Sequence, residues 1–119
     1  MKYQESIINL QELNKLCKGN VDKELKYMRL FTELIPLNIH KLKLSIEKED
    51  RDMVMKEIHF MSPHLLFFGI NDLTKFLEIN EDLSFDSLKK QINNCIIKIE
   101  KAIIIVENLI EVKLNNYNR

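Results

Sequence analysis

The sequence predicts an all-α protein: an up-and-down antiparallel four-helix bundle preceded by a short N-terminal helix. Three observations predict it. Every strong apolar pattern has helical rather than strand period. Glycine and proline number only two each, so turn-formers are scarce and long elements are favoured over many short strands. The final third of the chain carries a sustained alternation of three and four residues between apolar positions, the seam of a left-handed helix bundle.

The first element spans about residues 7–17, with Ile8, Leu10, Leu13 and Leu16 as its apolar positions and Gly19 as its stop. Asn20 is placed as the N-cap of the second. That helix runs over about residues 21–46, with Leu25, Met28, Phe31, Ile35, Ile39, Leu42 and Ile46 on one face. Pro36 lies inside it and is expected to kink it near Thr32 or split it in two.

The third helix begins near Asp50, with Glu49, Asp50 and Asp52 in its first turn, where carboxylates favour the positive end of the helix dipole. Its stripe is Val54, Ile58, Met61, Leu65 and Phe68, and Gly69 ends the run. A shorter fourth helix is expected over residues 71–79 through Leu73, Phe76 and Leu77, followed by a polar connection over 80–84. The last helix, from Phe85 to about Leu114, has its seam at Leu88, Ile92, Cys95, Ile99, Ala102, Val106 and Leu109. Residues 115–119 read as a frayed tail.

The 119 residues suit one domain over 1–119. Charged residues make up 30% and hydrophobic ones 45%, and the 18 basic and 18 acidic side chains cancel. No basic stripe stands out, which argues against a nucleic-acid binder. No apolar run approaches the ~20 residues of a membrane span, and the N-terminal segment has no signal-peptide pattern. Cys17 and Cys95 have neither disulfide-framework nor zinc spacing and read as two small buried hydrophobes in a reducing compartment. The expectation is a cytoplasmic monomer without metal or cofactor.

Chemistry narrows to three histidines, His40, His59 and His64. No phosphate loop and no zinc-protease pair is present. The carboxylates fall on polar faces and read as solvated surface. His59 lies one residue, ~100° of rotation, past Ile58 of the buried stripe, which puts it at the core's edge. A neutral imidazole there is a competent nucleophile near pH 7. On position alone it is equally a boundary histidine filling space. His64 is spaced for partner contact or boundary packing rather than for chelation with His59, and His40 reads as a surface residue. Phe60, Phe67 and Phe68 exceed one buried face and suggest an apolar docking patch around His59.

From Leu16 onward the chain resembles the histidine-phosphotransfer (HPt) family of multistep two-component signalling. Gly19-Asn20-Val21-Asp22-Lys23-Glu24-Leu25 resembles that family's helix entry. Ile58-His59-Phe60-Met61-Ser62-Pro63 occupies the place of its "A-H-x-L-K-[GP]" motif, with Gly69 ten residues after His59. The resemblance implies that His59 carries a phosphoryl group between the aspartates of receiver domains. Its partners would be a response-regulator receiver or a hybrid sensor kinase, and the chain a carrier rather than an enzyme.

Two positions depart from the motif. Ser62 stands where the family has a lysine that neutralises the phosphoryl group. It keeps a hydrogen-bond donor but no charge, and Lys56, one turn on the other side, is placed to supply part of that charge. Pro63 stands in place of a small glycine, still compact enough for a partner's approach. A module that keeps the bundle and the docking face but has lost transfer is the alternative.

Overall fold

The computed structural model describes residues 7–77 and 83–117. Among them are four α-helices, a 3₁₀ turn and no strand: α1 (Gln11–Cys17), α2 (Val21–Glu47), α3 (Arg51–Leu66), the 3₁₀ turn Thr74–Leu77, and α4 (Phe85–Tyr117). The described residues are all-helical in class, and their helices pack as a bundle.

The helix starts are set by side-chain caps. Asn20 Oδ1 accepts from the Lys23 amide at 3.1 Å, and Asp50 Oδ1 accepts from the Met53 amide at 3.1 Å. Each satisfies one of the orphan donors of a first turn. Glu49 is not part of that turn: it lies outside the helix at φ 54°, in the tight connection that reverses the chain. Before α4, Ser84 Oγ accepts from the Ser87 amide at 3.2 Å.

α1 is shorter at its start than its apolar pattern suggests. The Asn9 amide donates to the Phe68 carbonyl at 2.8 Å, and Asn9 Oδ1 accepts from the Gln11 amide at 2.9 Å. Residues 8–10 are thereby bound to the end of α3, and the helix begins only after them. Its stop is as expected, with Lys18 and Gly19 both at positive φ, 50° and 83°.

α2 is one helix over 27 residues, so Pro36 does not split it. The proline is on the exposed side, where water replaces the hydrogen bond its ring removes. Pro63 is likewise exposed and likewise inside a continuous helix, α3.

α2 packs along both α3 and α4. Lys113 near the end of α4 pairs with Glu24 at the start of α2 at 2.7 Å, and Lys43 pairs with Glu100 at 3.4 Å, so α4 runs antiparallel to α2. α3 is antiparallel to α2 as well, with the Tyr27 and Phe67 rings 5.4 Å apart at their far ends. Glu24 is 8% exposed and Glu57 7%, two exceptions to the expectation that the carboxylates are solvated surface. The pair with Lys113 accounts for Glu24.

Residues 71–77 differ from the expected fourth α-helix. They form turns and one 3₁₀ turn that packs on α3, with Leu73 and Phe76 buried as expected. The rest of the expected helix and most of the polar connection lie outside the described residues.

α4 continues through residues 115–117, where a frayed tail is expected from sequence. Its buried stripe is Leu88, Ile92, Ile96, Ile99, Ala102 and Val106. Ile96 takes the place expected for Cys95, which is half-buried, as is Leu109. The buried positions step by 4, 4, 3, 3 and 4 residues, so the strict alternation of 4 and 3 expected from sequence breaks at Ile96. The core closes around Phe31 and Phe68, whose ring centres are 4.4 Å apart.

Candidate functional site

The candidate site is the outer face of α3. Behind it Val54, Ile58, Met61 and Leu65 are fully buried, so the helix is fixed on its inner side. On the outside, Asp52, Lys56, His59, Phe60 and Pro63 are exposed. Residues three and four apart on a helix are surface neighbours, which groups Lys56, His59 and Pro63 around one patch. His59 is further out than the core's edge where its one-residue offset from Ile58 places it. Its imidazole makes no hydrogen bond among the described residues.

Ser62 departs from expectation. It is 6% exposed, and its hydroxyl donates to the Ile58 carbonyl at 2.7 Å. The donor counted on for a bound phosphoryl group is committed to the helix's own backbone. A serine in a helix often bonds this way to the carbonyl four residues back.

Gly69 has a structural task. Its φ is +74°, and a Cβ there would lie 2.6 Å from Asn9 Cβ and 2.9 Å from Asn9 N. It ends α3 and lets the chain before α1 pass against it.

The aromatic patch is reduced to one member. Phe68 is buried against Phe31, and Phe67 is half-buried beside Tyr27. Phe60 alone is exposed, at 64%. It is ~100° around the helix from His59, on the flank that faces α2.

There it joins residues that sequence reasoning missed. Leu37, Leu44 and Met53 are exposed, and a groove between α2 and α3 runs past all four apolar side chains. One stretch, of about 310 Å³, is lined by Leu37, Lys41, Lys56, Glu57, Phe60 and His64 among others. The adjoining stretch, of about 350 Å³, includes Lys41, Leu44, Lys48, Met53 and Glu57. Leu37 and Leu44, like Met53 and Phe60, are seven residues apart. That spacing off the buried stripes was the available signal. His64 is half-buried in this groove, and His40 is exposed on α2.

Both thiols are shifted upward. Burial raises Cys17, with Glu24 adding to the effect, and burial raises Cys95, with Asp72 adding. Neither is poised as a nucleophile. Among the described residues no three metal-ligating side chains converge. No described helix is long and apolar enough to cross a membrane. No protein-family model matches the chain, and no curated protein or solved structure matches it.

Proposed function

We propose that the protein is a phosphorelay carrier of the HPt type, holding a phosphoryl group on His59 between receiver-domain aspartates. The observation that carries this reading is the placement of His59. Its imidazole is exposed on a helix anchored by four fully buried side chains, with the compact Pro63 one turn on. A carrier needs a nucleophile that a second protein can reach and a backbone that does not yield on contact. In the transfer an imidazole nitrogen forms a bond to phosphorus as the aspartyl O–P bond breaks. The carboxylate leaves with that electron pair, and the imidazole proton passes to solvent.

Phe60 and the groove beside it supply apolar surface for the receiver or hybrid kinase to cover. The reading places the chain in the cytoplasm as a monomeric up-and-down helical domain.

A second reading draws on Ser62. With its hydroxyl committed to Ile58, the site holds less for a phosphoryl group than the family motif does. A binding module without transfer would keep the groove and Phe60.

Incubation with an active sensor kinase, a receiver and ATP separates the two. The carrier gives an acid-labile, base-stable adduct that His59→Gln abolishes without loss of helicity and that His40→Gln and His64→Gln retain. Label persisting in His59→Gln would defeat the site assignment. Receiver binding without label on the wild type would establish the binding module instead.

A further inference from the structure

We propose that the groove between α2 and α3 takes an amphipathic helix of a partner protein, and that Glu57 pairs there with an arginine which that helix carries between two apolar residues. The inference rests on the docking face of the reading above, common to carrier and binding module, and not on transfer at His59.

Glu57 is a buried carboxylate that the fold leaves without a partner. It is 7% exposed, as closed off as Glu24 at 8%, but Glu24 has Lys113. Glu57 forms no ion pair and no side-chain hydrogen bond among the described residues. It lines both stretches of the groove, so in the open groove water serves it. An apolar surface laid over the groove strips that water and leaves a buried charge unpaired, which is strongly unfavourable. A binder that covers the groove must therefore bring its own cation, and one that lacks it is rejected.

The layout of the groove says where that cation sits. Leu37 and Phe60 line one stretch, Leu44 and Met53 the other. Each helix thus offers two exposed apolar side chains seven residues apart, about 10 Å along its axis. Glu57 lies between Met53 and Phe60, four residues after one and three before the other. An incoming helix with apolar residues at the same interval repeats that spacing, and its position three or four along, on the same face, meets Glu57. A guanidinium suits the carboxylate, since its planar fork pairs through two hydrogen bonds. Lys41, Lys48 and Lys56 also line the groove; all are exposed, with no ion pair among the described residues. Their long stems carry the ammonium groups out to the rim, where they match acidic residues on the flanks of the incoming helix.

The test uses the full chain and two stapled helical peptides of ~15 residues, with binding followed by fluorescence anisotropy. Both peptides carry leucines at the seven-residue interval of the groove and glutamates on their flanks. One has arginine a single helical turn after the first leucine, and the other has glutamine there. The arginine peptide should bind the wild type about tenfold or more tightly than the glutamine peptide. Glu57→Gln should remove most of that preference with helical content retained, and Leu37→Ser should weaken both peptides alike. The two peptides are compared on the wild type itself, so the result stands even where Glu57→Gln fails to fold. Equal affinities for the wild type would overturn the proposal by showing that a lysine of the chain already serves Glu57. Binding by neither peptide, or a preference that survives Glu57→Gln, would overturn it as well. No phosphate takes part, so failure here leaves the carrier reading standing, and a wild type that takes no label at His59 leaves the peptide preference standing.

Discussion

The Ser62 hydroxyl donates to the Ile58 carbonyl at 2.7 Å inside the packed face of α3. The bond fixes the rotamer of a buried side chain one turn from His59 and removes its only donor from the phosphoryl site. Ser62→Ala should therefore leave phosphoryl uptake at His59 within about a factor of two. It should change stability by no more than about 1 kcal/mol, the net worth of one such bond. Denaturant unfolding and labelling with a sensor kinase, a receiver and ATP read both; a large loss of uptake with intact folding would show that the hydroxyl turns outward to the phosphoryl group.

Gly69 is sensitive for two separate reasons, its φ of +74° and the Asn9 backbone against its Cα. Gly69→Ala should lower stability by about 2 kcal/mol or more, combining the left-handed penalty of about 1 kcal/mol with displacement of the segment around Asn9. Gly19, also at positive φ but with open space around it, should cost only the conformational part. Equal melting temperatures for the two alanine variants would show that Asn9 does not press on Gly69.

The inner face of α4 is tested by neighbouring positions. Ile96→Asn should cost several kcal/mol, because it leaves a cavity and buries an amide at a site 2% exposed. Cys95→Asn, at a half-buried site, should cost about 1 kcal/mol. Urea melts give the order directly. A supercoiled seam with Cys95 inside would reverse it.

The groove between α2 and α3 predicts a loss of binding without a loss of fold. Phe60→Ser and Leu37→Ser remove side chains that are 64% and 62% exposed, so melting temperatures should stay within about 0.5 kcal/mol equivalents of the wild type. Receiver binding, followed by calorimetry, should weaken about tenfold or more for Phe60→Ser if that ring anchors the contact. Unchanged affinity in both variants would place the docking surface elsewhere.

Much of the fold was legible in the residues because its causes are local. The apolar periods of α2 and α3, the cap Asn20 and the stop at Gly19 all depend on neighbours within one or two helical turns. The same local reasoning set Lys56 and Pro63 one turn from His59 on either side, but put His59 at the core's edge where the structure has it exposed.

What the sequence by itself determined is therefore the helical class and the faces of α2 and α3 that pack. Only the tertiary structure decided that Ile96 and not Cys95 enters the core, because the partner that α4 lies along sets which side of it turns inward. Only it withdrew Phe67 from the surface, beside Tyr27 on α2. It turned Ser62 inward, shortened α1 through the bond from Asn9 to Phe68, and opened the groove that joins Leu37 to Phe60. These outcomes share one physical reason: each depends on contacts between residues far apart in the chain, whose meeting is set by how whole helices pack and not by the period of any one of them.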